Sequence, residues 1–543
     1  MKIKKVTKNK VQMVLPALFA LILIGFFVNR NIQIRGLYGD DLYLWSFYGE
    51  DSFWKFTFPE STKGNFRPFY WAMSYLEFMI VGRHVNFYSA FNTVFNIFIS
   101  FVVYFFSLDL TKLSERRDGE TFSAELISFL AAGMYLGSHF AAYQIGQVLG
   151  LLESLGLLLA VIVLWLLYRF SEYGDSSYYY GACFTYFLVM FTHERYIALF
   201  PLFCLVLFFR GLKGRVEGTK EGCLLKILVP VMELMFFFGV RVLVAGQAMP
   251  AGTAGTDVTD TFSLGQAFMY ALQQVQYVFG VNVGESYLNG ITWAETPLWL
   301  HICVYTSWAV ILGMLGIYIS ELRKHPIDLT EIAHNLLFIT FIALCIGCSS
   351  ITIRLEIRWV YVSYTAALLY ICYMFGRIGQ GTAYGVSEVS GRRAGTGAMA
   401  AAFSLLFFLY CCLMVPVEQL YRSCFRNIFF MTELDRVNSL ADETIGKYRD
   451  FLGVRQTYIF YNSFGMTDFY GEYFYKPYDP EKTGQGSELH YINDISELPE
   501  YAVYENSVVL LETSDRRGYI DITDQVFGKA DWSAVEEKES NGN

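Results

Sequence analysis

NRNIQIRGLYGDDLYLWSFYGEDSFWKFTFPESTKGNFRP, residues 29–68, is a polar stretch set between apolar runs that are long enough to cross a bilayer. That setting puts two adjacent carboxylates, Asp40 and Asp41, at a membrane face rather than in a soluble core. Gly-Asp-Asp is ordinary turn material. Here, however, Tyr38, Tyr43, Trp45 and Phe47 crowd the pair on both sides. Flat side chains of this kind stack on sugar rings, and a carboxylate beside them can take the proton from an attacking hydroxyl.

The flanking chain sets the class. Of 543 residues, 54% are hydrophobic and only 17% charged, outside the range of a soluble globular domain. A helical span needs roughly 20 apolar residues. Many windows meet that demand, the runs at 11–28, 86–108, 124–142, 148–168, 178–191, 197–209, 224–243, 298–320, 332–348, 360–375 and 398–415 read as spans, and no ten-residue alternation suggests a barrel. The expectation is an all-α polytopic protein of about eleven transmembrane helices over residues 1–415, with outer loops at 29–85 and 245–297. The five lysines of MKIKKVTKNK place the amino terminus in the cytoplasm, and the first run reads as an uncleaved span. Residues 245–297 contain no Lys or Arg, as an outer loop should. Within that loop LGQAFMYALQQVQYVFG reads as a partly buried helix, re-entrant or interfacial, and the run from Phe69 to Val81 as an amphipathic helix at the outer interface.

Residues 416–543 are different. From Glu433 onward there are 22 acids against 10 bases, so this tail carries more than the whole chain's net charge of −9. QTYIFYN, SVVLLET and GYIDIT read as short strands of a small extracytoplasmic α+β domain with a disordered end. Most of the ten cysteines fall in apolar runs and read as core residues, and no Cys/His spacing suggests zinc. Without a basic stripe carrying interleaved aromatics, nucleic acid is not an expected partner.

Other ionisable residues stand where charge is costly. His193, Glu194 and Arg195 sit at an outer span end, where such groups are paired or functional. The bland reading is a Glu194 pair with Arg195 or Arg241 that fixes packing; the functional one has Glu194 orienting Arg358 or an acceptor. Arg67, held in non-helical backbone by Pro68, reads as a clamp between loop and helix. Glu153 and Gln147 could line a polar cavity, although a Glu one turn inside a span can simply reach the interface. Glu285 and Glu295 read as solvated. Glu50 and Asp51 follow the Asp pair without the regular spacing of a cation loop, so a divalent ion is disfavoured and no cofactor is expected.

Taken together, the acidic first outer loop, the Arg-Pro opening an interfacial helix, HERYIALFPLF and EIRWVYVSY resemble the GT-C superfamily of polyprenyl-phosphate-sugar-dependent glycosyltransferases. The likeness covers roughly residues 1–415. It departs at Ser89 and Asn96, where many relatives carry histidines, and it offers no counterpart for the tail. The resemblance implies that Asp40 or Asp41 activates an acceptor hydroxyl for in-line, inverting attack. It also implies that Arg358 and Arg354 hold the lipid phosphate, with His193, Glu194, Arg67, Tyr43 and Trp45 in support. The implied partners are a polyprenyl-phosphate sugar donor, membrane lipid, and a glycan, glycolipid or protein acceptor at the outer face of a bacterial plasma membrane. A flippase of lipid-linked glycan and a non-catalytic envelope assembly factor are the rivals, although no paired halves of a transporter are evident.

Overall fold

The computed structural model describes residues 2–34, 36, 52–59, 65–82, 84–111, 118–217, 223–249, 258–284, 290–324, 328–380, 390–448, 457–463, 488–516, 518–533 and 535. Asp40, Asp41, Tyr43, Trp45, Glu50, Asp51 and Glu285 lie outside them.

The apolar runs are helices: α1 Lys2–Asn29, α2 Pro68–Val81, α3 Val85–Thr111, α4 Asp118–Gly137, α5 His139–Ile145, α6 Gly150–Tyr173, α7 Ser176–Met190, α8 Phe200–Glu217, α9 Leu228–Ala245, α10 Leu264–Val278, α11 Leu298–Leu322, α12 Leu329–Ser350, α13 Ile357–Gln380 and α14 Ser390–Ser423. Eight stretches among the described residues are long and apolar enough to span a bilayer, or nine if the bent pair α4/α5 counts as one. The chain is thus an integral membrane protein. Eleven runs were expected; α1 and α7 stand at the other two, with α1 running Lys2–Asn29 through the whole 11–28 run. In α7, 15 residues carry four tyrosines, which lower its hydropathy.

Helix boundaries follow local chemistry. Ser138 breaks α4 from α5 with a 50° bend and caps α5 by accepting from Ala141 N at 3.2 Å. Gly174, at φ 74°, closes α6 in the left-handed conformation that Gly adopts without strain. Asp175 and Asp328 then cap α7 and α12. The central helices are α6 and α13, with 83% and 89% of their apolar windows buried, against 17% for α9 and 28% for α11. Between α3, α4 and α13 lies a polar knot in which Asn96 Oδ1 accepts from the hydroxyls of Tyr135 and Tyr361.

Ion pairs gather at the two ends of this bundle. One end holds Arg169 on Asp109 at 2.6 Å and Arg377 on Glu331 at 3.0 Å. The opposite end carries the candidate site.

The chain divides into two compact units, Met1–Gln33 with Phe53–Asn427, and Ile34–Ser52 with Ile428–Asn543. In the second, α15 (Phe429–Tyr448) precedes a four-stranded sheet of order β2-β1-β3-β4, with β1 Thr457–Tyr461, β2 Glu488–Ile492, β3 Ser507–Glu512 and β4 Tyr519–Asp521. Strand β1 runs parallel to both β2 and β3, and β4 is antiparallel to β3. Ile459, Ile492, Val509, Ile520, Ile522 and Val535 fill its core. The three expected strands are present, and β2 and α15 are additions.

Candidate functional site

The site grows out of a break in the helical path. α7 ends at Met190, and His193 takes an extended backbone (φ −154°) that starts a 3-10 turn, Glu194–Leu199, leading into α8. Against this break lies the segment before α2. Phe69 N donates to Phe191 O at 3.1 Å, and the rings of Phe66 and Phe191 meet edge-on at 5.8 Å.

Glu194 ties the two segments together. Its Oε1 accepts from Phe66 N at 2.7 Å, and its Oε2 accepts from Arg67 Nε at 2.7 Å. A second guanidinium, Arg241 Nη1 on α9, reaches Oε1 at 3.4 Å, and Arg241 Nη2 donates to Met249 O at 3.0 Å. Arg67 thus ties the segment before α2 to the break between α7 and α8, and the Glu194–Arg241 pair is present. Glu194 faces Arg67 and Arg241 in these bonds, not the Arg358 that the functional reading gave it.

Arg195 turns the other way. Its Nη2 contacts Glu153 Oε2 on α6 and lies 3.1 Å from the Tyr196 hydroxyl. Glu153 is buried rather than reaching the interface, and its Oε1 stands 3.9 Å from His193 Nε2. Burial, together with the positive charges of Arg67, Arg195 and Arg358, holds the His193 imidazole well below its usual pKa.

Arg358 opens α13, and Arg354 precedes it in the link from α12. Both grip one carboxylate: Arg354 Nε donates to Glu356 Oε1 at 2.8 Å, and Arg358 Nε contacts Glu356 Oε2. Burial pushes the Glu356 carboxyl up, but Arg358 and Arg354 outweigh it and hold it below the ordinary value. Arg354 is half-exposed, at 49%, whereas Arg358 is 22% exposed. The named groups are five guanidiniums (Arg67, Arg195, Arg241, Arg354, Arg358) and three carboxylates (Glu153, Glu194, Glu356), with a neutral imidazole among them. At the α12–α13 link two guanidiniums, Arg354 and Arg358, share one carboxylate, Glu356, and this local excess of positive charge suits an anionic ligand.

Of the residues chosen from sequence, the fold joins Arg67 and His193 to Glu194, and it joins Arg354 and Arg358 to Glu356. Glu356 itself was missed, although an acid two residues from each of two arginines in IRLEIR was the available signal. Glu295 is exposed, as expected, and forms a capping box with Thr292. Among the described residues no group of three His, Cys, Asp or Glu side chains converges as a metal site would require.

No family model matches this chain, and no curated protein matches it. A solved structure does: ArnT from Cupriavidus metallidurans bound to undecaprenyl phosphate, 12% identical, with 94% of each chain covered and a TM-score of 0.45.

Proposed function

We propose that the chain is an inverting glycosyltransferase that moves one sugar from a polyprenyl-phosphate carrier to a cell-envelope glycan, glycolipid or protein. The reaction takes place on the outer face of a bacterial plasma membrane, with the amino terminus in the cytoplasm and residues 416–543 outside. The observation that carries the reading is the guanidinium excess at one end of a membrane-spanning bundle, centred on Arg354, Glu356 and Arg358. A lipid phosphate brings two things that this arrangement suits. Its chain belongs among apolar helices, and its oxygens match planar guanidinium donors.

In the proposed step an acceptor hydroxyl attacks the anomeric carbon and gives its proton to Asp40 or Asp41. The bond from that carbon to phosphate oxygen breaks, and the electron pair leaves with the polyprenyl phosphate. That leaving group needs charge neutralisation more than a proton, and Arg358 and Arg354 supply it. Tyr43 and Trp45 stack on the sugar, with Glu194, Arg67 and His193 in support.

The test is Asp40→Asn and Asp41→Asn in purified protein supplied with a synthetic polyprenyl-phosphate sugar and acceptor. Removing the base lowers transfer by about 10²- to 10⁴-fold, with polyprenyl-phosphate binding retained. Full transfer by both variants overturns the assignment of the base. Export of intact lipid-linked sugar by the wild type, without transfer, favours the transporter.

A further inference from the structure

The link that carries Arg354 is held from outside by a helix with its polarity reversed. α10 contains no charged residue. Leu264, Phe268, Met269, Leu272 and Val275 are exposed on one side, while Gln266, Tyr270 and Gln274 face the protein on the other. An apolar face turned outward beside membrane-spanning helices is stable in lipid, not in water. The inward polar side chains Gln266, Tyr270 and Gln274 are hydrogen-bonded. Gln274 Nε2 donates to Ser350 Oγ at 2.8 Å, and Gln274 Oε1 accepts from Ser349 Oγ at 2.8 Å, at the end of α12. One and two turns earlier, Tyr270 Oη donates to Ile353 O at 3.1 Å, and Gln266 Nε2 lies 2.7 Å from Tyr270 Oη and 3.4 Å from the same carbonyl. Ile353 O belongs to the peptide that begins Arg354.

Spacing of i, i+4, i+8 puts these three polar groups on one helical stripe, so α10 grips the α12–α13 link at its start and immediately before the arginine. We propose that α10 is a lipid-seated strut, and that Gln266 and Tyr270 are positioning residues that set the reach of Arg354, and through Glu356 of Arg358, toward the phosphate of a polyprenyl-phosphate ligand. This rests on the proposed function, because it takes the anion to be that lipid phosphate. The strut itself depends only on the hydrogen bonds and the exposed apolar face.

The experiment measures the affinity of the full chain in lipid nanodiscs for a fluorescent polyprenyl phosphate, with thermal melting as the check on folding. Tyr270→Phe keeps the ring and removes the donor; Gln266→Leu removes its partner. Losing a neutral hydrogen bond corresponds to about a fivefold change in affinity, so the double variant is expected to bind about fivefold more weakly while still unfolding in one cooperative transition. Arg354→Ala is also expected to weaken binding, and adding Tyr270→Phe and Gln266→Leu to it should cause no further loss, because the strut acts through that side chain. If wild type does not bind polyprenyl phosphate at all, the functional reading fails. If wild type binds and Arg354→Ala weakens it but the strut variants do not, or if their effects add in full to that of Arg354→Ala, the strut is wrong while the functional reading stands. Should the double variant misfold, Tyr270→Phe alone carries the same comparison.

Discussion

Glu194→Ala is the sharpest perturbation of the candidate site. The carboxylate is buried, accepts at 2.7 Å from both Phe66 N and Arg67 Nε, and faces an Arg241 side chain with no exposure. Truncation leaves that buried guanidinium without its carboxylate, a change that costs about 3–5 kcal/mol where one partner of a buried pair is removed. Arg67, 2.7 Å from the carboxylate and 20% exposed, shares this loss, and the part that sits on Arg241 can be isolated by changing the background. In Arg241→Met protein the same truncation strands one buried charge fewer and is expected to cost less by at least about 1 kcal/mol. The assay is denaturant unfolding in mixed micelles for the four proteins of the cycle. A loss under about 0.5 kcal/mol for Glu194→Ala, or equal losses in both backgrounds, refutes the electrostatic account of the clamp.

Acid is expected to destabilise the site through His193. Its folded-state pKa lies below the unfolded value of 6.5, so the unfolded chain binds the proton first; the stability is intact above that pH and is lost as pH falls toward the folded value. Melting curves of wild type and His193→Gln from pH 8 to pH 5 test this, and the variant should have the flatter acid limb. Gly150→Ala is expected to destabilise α6 by about 1–3 kcal/mol, because a Cβ there would stand 1.7 Å from Gln144 O, a backbone atom that cannot swing aside. The same denaturant assay reads it, and a neutral result contradicts the close approach of α5 to α6. Tyr361→Phe removes one of two donors to buried Asn96 Oδ1 and is expected to cost about 1 kcal/mol. Combining it with Tyr135→Phe, which strips the second donor, should cost more than the two singles together.

The membrane helices were legible because apolar length alone specifies a span, and α3, α6, α11 and α12 fall within a few residues of their expected runs. α7 was read as a span at 178–191, and it is a helix of 15 residues whose four tyrosines keep helical periodicity while lowering hydropathy. In the tail, β3 and β4 follow from β-branched and aromatic runs. β2, ELHYI, carries a charge and a histidine in five residues, and its parallel pairing with β1 depends on a long connection that no local pattern encodes. α15 escaped because its apolar stripe is diluted by Glu433, Asp435, Arg436, Asp442, Glu443 and Lys447. At the site, the residue types were legible but their partners were not. Arg67 and Glu194 are 127 positions apart, and only tertiary packing decides that Arg67 rather than Arg195 takes that carboxylate. The Asp40/Asp41 pair lies outside the described residues, so its role rests on chemistry read from sequence.

The central claim is transfer of a sugar from a lipid phosphate at the Arg354–Glu356–Arg358 end of the bundle. The most direct measurement is mass-spectrometric detection of free polyprenyl phosphate when the purified protein in nanodiscs meets a polyprenyl-phosphate-linked sugar and acceptor. The account predicts acceptor-dependent release by the wild type, reduced by about 2–5 kcal/mol of lost ligand contact in Arg358→Ala. Intact donor throughout a panel of sugars and acceptors, or release undiminished in Arg358→Ala, contradicts it.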